Sequence, residues 1–81
     1  MKILIEDTYF NEDYVTEEFE SIEEAWVDVK NTVSMRAENL AEHEVEEDWE
    51  LYYATYEEAL KATYDGIYEQ LLSEQRVTEV K

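Results

Sequence analysis

The chain has no cysteine, no proline, a single glycine (Gly66), a single histidine (His43) and only six bases. Without cysteine there is no disulfide framework and no thiolate metal site, which fits a reducing compartment. Without proline, and with one glycine, no linker-like stretch divides the chain, so residues 1–81 read as a single compact acidic domain. One glycine cannot make a phosphate-cradling loop. One histidine without cysteine leaves no Ser–His–Asp or Cys–His triad, so the expectation is a protein that is not an enzyme and takes no cofactor. No apolar run approaches the roughly 18 residues of a membrane span. The start, MKILIEDTYF, lacks the long apolar region and small-residue cleavage site of a signal peptide. A cytoplasmic protein is expected.

What is there is acid and aromatic. Asp and Glu number 23 against the six bases, for a net charge of −17, yet 44% of residues are hydrophobic and 14% aromatic. That is too apolar for a disordered acidic tail, and close to the lower size limit for a self-sufficient core. The charge argues against direct binding to nucleic acid or an anionic membrane, which needs Lys and Arg set against phosphates, and favours basic partners. Ten acids and no base lie between Lys2 and Lys30, and nine acids and no base between Arg36 and Lys61. Acids and bases are therefore not laced into surface salt bridges. A compact chain of this length has a radius of gyration of roughly 12 Å and a diameter of about 30 Å. About 30 Å of duplex DNA, at one charge per ~1.7 Å, carries about as much charge.

Two helix starts are marked by capping boxes, Ser21 with Glu24 and Thr55 with Glu58. After Ser21, residues Ile22, Ala25, Trp26, Val29, Val33, Ala37 and Leu40 form an apolar stripe, opposite Glu24, Asp28, Glu38 and Glu42. After Thr55, Tyr56, Leu60, Thr63, Ile67 and Leu71 form a second stripe, opposite Glu58, Asp65 and Glu69. Residues 2–6 and 14–20 read as a hairpin around a polar 11–13 turn. Residues 45–53 alternate, with Val45, Glu47, Trp49, Leu51 and Tyr53 on a core face that only Glu47 spoils and Glu46, Asp48, Glu50 and Tyr52 on the other, which predicts a strand. Residues 76–80 carry a weaker strand signal. The fold class predicted is α+β, in the order ββαβα: an antiparallel or mixed sheet of three or four strands with two amphipathic helices on one face. Monomer and homodimer stay open, with residues 2–6 an edge strand that could pair across a dimer.

Two metal motifs fail on their own residues. HEVEE (43–47) begins like a zinc-protease helix but ends in Glu, and the chain has no second histidine. Across residues 7–18, Asp7, Asn11, Asp13 and Glu18 match calcium-loop positions, but Tyr9 and Glu12 stand where an oxygen ligand and a glycine belong. The remaining signal is surface chemistry. Glu44, Glu46, Asp48 and Glu50, with Glu24, Asp28, Glu38 and Glu42, make rows of carboxylates on rigid elements, able to stand in for phosphates. Tyr52, Tyr68, Met35 and Leu72 fall on outer faces; Tyr52 and Tyr68 are the expected aromatic contacts. Trp26 and Trp49 are expected in the core.

In length, charge and acid-plus-aromatic character the chain resembles the small, acidic, cysteine-free phage-encoded inhibitors that mimic DNA, among them anti-restriction proteins, anti-CRISPR proteins and uracil-DNA glycosylase inhibitors. The resemblance implies a cytoplasmic inhibitor, acting in the host cell if phage-encoded, that occupies the basic nucleic-acid-binding site of a host protein. The alternative is an acidic regulatory or assembly module that binds through an aromatic patch or sheet edge, with its charge serving solubility.

Overall fold

Both capping boxes form, and each reaches one residue further back than the minimal motif. Ser21 Oγ accepts the Glu24 N–H at 3.1 Å, and Glu24 in turn accepts the N–H of Glu20 at 3.1 Å. Thr55 Oγ1 accepts the Glu58 N–H at 3.2 Å, and Glu58 accepts the N–H of Ala54 at 3.3 Å. One N–H that each helix start leaves without an intrahelical partner, and the N–H just before each N-cap, are thus satisfied, and the first-turn acids face the positive end of each helix dipole. In the computed structural model, which describes residues 1–81, the elements are β1 (Ile3–Asp7), β2 (Glu12–Thr16), α1 (Ile22–Glu44), a single 3-10 turn (Trp49–Leu51), α2 (Tyr56–Ser73) and β3 (Gln75–Glu79).

The class is α+β, and the order is ββααβ rather than ββαβα. The sheet is antiparallel throughout, with spatial order β2-β1-β3. Strand β1 is therefore central, paired on both sides, and is not an edge strand free to pair across a dimer. The hairpin turn comes earlier than expected, over residues 8–11, with Glu12 and Asp13 already in β2. Asn11 takes φ 60°, a left-handed conformation that Asn tolerates better than most side chains. The weak C-terminal signal is a real strand, β3.

The strand expected over 45–53 does not form. Helix α1 runs through Glu44, with Ala41 buried and the Val45 N–H still bonded to the Ala41 carbonyl. Val45 continues the helical stripe through Ala37 and Ala41, so a 3.6-residue period over 22–45 overrides a 2-residue period that begins at Val45. The rest of the segment must turn the chain back into α2. It does so with i→i+3 bonds, Trp49 N–H to Glu46 O, Leu51 N–H to Asp48 O and Tyr52 N–H to Trp49 O. Glu46, Glu47, Asp48 and Glu50 would have weakened a strand here in any case, since carboxylates are depleted in sheets.

The core is small. Ile3 and Ile5 from β1 meet Ala25, Val29, Val33 and Ala37 from α1 and Leu71 from α2 in one buried cluster. Phe19, Trp26, Leu40, Tyr64, Ile67, Tyr68 and Leu72 pack against its margin half-buried. Alanines at 25 and 37 let the elements approach closely, and Ala41 and Ala59 are buried further along the two helices, outside that cluster. The molecule is drawn out to 52 × 21 × 15 Å with a radius of gyration of 15.6 Å, longer than a compact chain of its size. Helix α1 alone accounts for about 34 Å of that length.

Gly66 lies exposed in α2, and a β-carbon built there meets nothing within 4 Å. Gly66→Ala is expected to stabilise the fold by about 0.5–1 kcal/mol, because Ala loses less backbone entropy in a helix. For a domain of this size that raises the melting temperature by roughly 2–8 °C, measurable by circular dichroism.

Candidate functional site: an acidic helix face and an aromatic tip

The acids predicted on α1 share one exposed face. At 100° per residue, Glu24, Asp28, Glu38 and Glu42 fall within roughly 80° of arc and span about 27 Å along the axis. All four are exposed, opposite the buried line of Ala25, Val29, Val33, Ala37 and Ala41. Asn31 and Met35 fill the gap between the two acidic pairs, and Met35 is 66% exposed.

The other row takes a different shape. Glu46, Asp48 and Glu50 are exposed but lie on the turn-rich connection between the helices, not along a strand, so they lack the straight-line spacing that a strand would give them. Glu44 ends α1 beside them, with His43 exposed in the same last turn. The aromatic assignments change too. Leu51 is 77% exposed, Tyr52 72% and Tyr53 39%, whereas Leu51 and Tyr53 were expected to point into the core. Trp49 is half-buried outside the core cluster, edge-on to Tyr56 with ring centroids 5.8 Å apart. Tyr68 is not an outward contact: it stacks on Tyr64 at 5.8 Å and packs against the core, as does Leu72. The Tyr64 hydroxyl is itself held, 2.7 Å from Ser34 Oγ across the two helices.

Bases neutralise almost none of this. Of the 23 acids only Asp7, Glu12 and Asp65 make salt bridges, the first two to Arg36 and the third to Lys61. Arg36 is the one built charge site. Its guanidinium lies 3.1 Å from both Asp7 Oδ2 and Glu12 Oε2, and 4.6 Å over the Phe10 ring centroid. Asp7 Oδ1 meanwhile accepts the N–H groups of Tyr9 and Phe10, closing the hairpin turn. The carboxylate that headed the calcium-loop comparison is thus engaged in tying the hairpin to α1.

Beside this node, burial pushes the Tyr14 hydroxyl above its ordinary value of 10.0, helped by the carboxylates of Asp28 and Glu18 and opposed by Arg36. The folded state therefore keeps this proton when the unfolded chain has begun to release it. The associated stability is intact below about pH 10 and is lost as pH rises beyond it. In an alkaline titration followed by phenolate absorbance, one tyrosine is expected to ionise later than the others, and Tyr14→Phe to remove that late phase.

Comparison of the chain with family models, curated proteins and solved structures finds no match. No helix is long and apolar enough to cross a membrane. Two features set this surface apart: an acidic face on α1 without salt bridges, and an inter-helix tip where exposed aromatic residues share a turn with further carboxylates that no base pairs.

Proposed function

We propose that this protein is a non-enzymatic, cytoplasmic inhibitor that presents a polyanionic, nucleic-acid-like surface to the basic nucleic-acid-binding site of a host defence protein, such as a restriction or CRISPR effector. The observation that carries the reading is the lack of internal neutralisation along an elongated body. A net charge of −17 over 52 Å is about one charge per 3 Å, between the ~1.7 Å spacing of a duplex and the 3.4 Å of one strand. Half of the 21 Å width is about one Debye length in ~0.1 M salt, so a partner on any side feels much of the total. Self-repulsion of that size costs stability, and a chain without use for the field would pair more of its carboxylates. Glu24, Asp28, Glu38 and Glu42 supply a rigid row; Glu44, Glu46, Asp48 and Glu50 extend it around the tip, where Tyr52 adds contact area.

The test is plasmid cleavage by a panel of restriction and RNA-guided nucleases with the protein titrated in. The proposal expects at least one nuclease to be blocked near one-to-one stoichiometry, with relief by added DNA. A panel cut at the uninhibited rate throughout would contradict it.

The exposure of Leu51 and Tyr52 favours a second reading, an interaction module that docks through the aromatic tip while the acids serve solubility. It expects Tyr52→Ala to weaken partner binding strongly, and the triple change Glu46→Gln, Asp48→Asn and Glu50→Gln to alter it only a few-fold. The opposite ranking would discard it.

A further inference from the structure

Arg36 shows how this protein holds a guanidinium: two carboxylates at its edge and an aromatic ring beneath it. The same combination occurs a second time with no internal cation. At the tip, Glu44 and Glu46 line one cleft of about 370 Å³ with Trp49, Tyr52 and Tyr53. None of these carboxylates is salt-bridged, and neither Lys nor Arg lines the cleft. Asp48 and Glu50 stand exposed on the same turn.

We infer that this tip cleft receives an arginine side chain from a basic protein partner. The inference rests on the proposed reading that the partner is basic, and it adds which cation the tip selects. Arginine suits the cleft for two reasons that lysine does not share. Its planar fork can bridge two carboxylates, and its flat, weakly hydrated face stacks on an aromatic ring. Charge complementarity brings either cation to the tip, but only the guanidinium can bridge two carboxylates while its flat face lies on a ring. Tyr52 and Tyr53 are exposed and already part of the cleft, so the anchor needs no rearrangement of the core.

The test uses the isotope-labelled full chain titrated with nona-arginine and, separately, nona-lysine, followed by nuclear magnetic resonance. Nona-arginine is expected to bind roughly three- to ten-fold more tightly than nona-lysine. The largest shifts are expected at the Trp49 indole N–H and the amides of Tyr52 and Tyr53. The double change Tyr52→Ala and Tyr53→Ala, both at exposed positions, is expected to abolish the arginine preference while lysine binding and spectral dispersion stay as they were. Equal affinity for the two peptides, or shifts greatest along Glu24, Asp28, Glu38 and Glu42, would overturn the inference. Peptide selectivity and nuclease inhibition are read separately, so loss of one leaves the other standing.

Discussion

Leu71→Ala is expected to unfold most of the population at 25 °C. Leu71 is 1% exposed and, with Ile3, one of the two largest fully buried side chains in the molecule. It is also the only α2 residue in the core cluster, where it meets β1 and α1. The α1 members of that cluster are Ala25, Val29, Val33 and Ala37, all short side chains with little length to fill the space it leaves. Truncation of a buried Leu costs about 2–5 kcal/mol, and a single core in a chain this small supplies about 3–5 kcal/mol altogether. Far-UV circular dichroism and urea melts measure the loss. Leu71→Met, which keeps most of the volume, is expected to cost less than about 1.5 kcal/mol and to leave a cooperative transition. A Leu71→Ala variant as resistant to urea as the parent would show that the helices are held to the sheet by something other than this cluster.

The second large effect is electrostatic, and it runs in opposite directions for stability and binding. Replacing Glu24, Asp28, Glu38 and Glu42 together by Gln or Asn is expected to slow association with a basic partner by about 10- to 100-fold at low salt, as steering is lost. The same variant is expected to melt at a higher temperature, because four mutually repelling charges leave one exposed helix face. One cost is expected on the other side: Glu24 lies in the first turn, where its charge favours the helix dipole, although Gln there can still accept the Glu20 N–H through its carbonyl. Stopped-flow association and thermal melts on one preparation give both numbers. Binding that falls together with the melting temperature would mean that the fold, not the field, had been damaged.

The helices and the acidic face of α1 were legible because both follow from local pattern. Ser21 and Thr55 announce their helix starts, and Glu24, Asp28, Glu38 and Glu42 fall opposite an apolar line by helical geometry alone. The tip was not legible, because Val45 satisfies two periods at once: it is the residue after Ala37 and Ala41 on a helix, and the first of an alternating run. Once α1 takes it, the chain has only residues 46–55 in which to reverse, and Leu51 and Tyr53 are left outside. Tyr68 and Leu72 were misplaced for a different reason. Helix α2 buries a broad arc that includes Tyr64, Tyr68 and Leu72, whereas the apolar spacing alone marks one narrow line through Leu60, Ile67 and Leu71. Arg36 could not be found from sequence, because Asp7, Glu12 and Phe10 reach it only when the hairpin lies against α1.

The central claim is that the carboxylates occupy a site where nucleic acid would otherwise bind. Its most direct test is the apparent inhibition constant against a blocked nuclease, measured as a function of DNA concentration and of salt. The account predicts a constant that rises in proportion to DNA and weakens steeply between about 50 and 200 mM salt, where exposed charges become screened. An inhibition constant indifferent to both DNA and salt would contradict it.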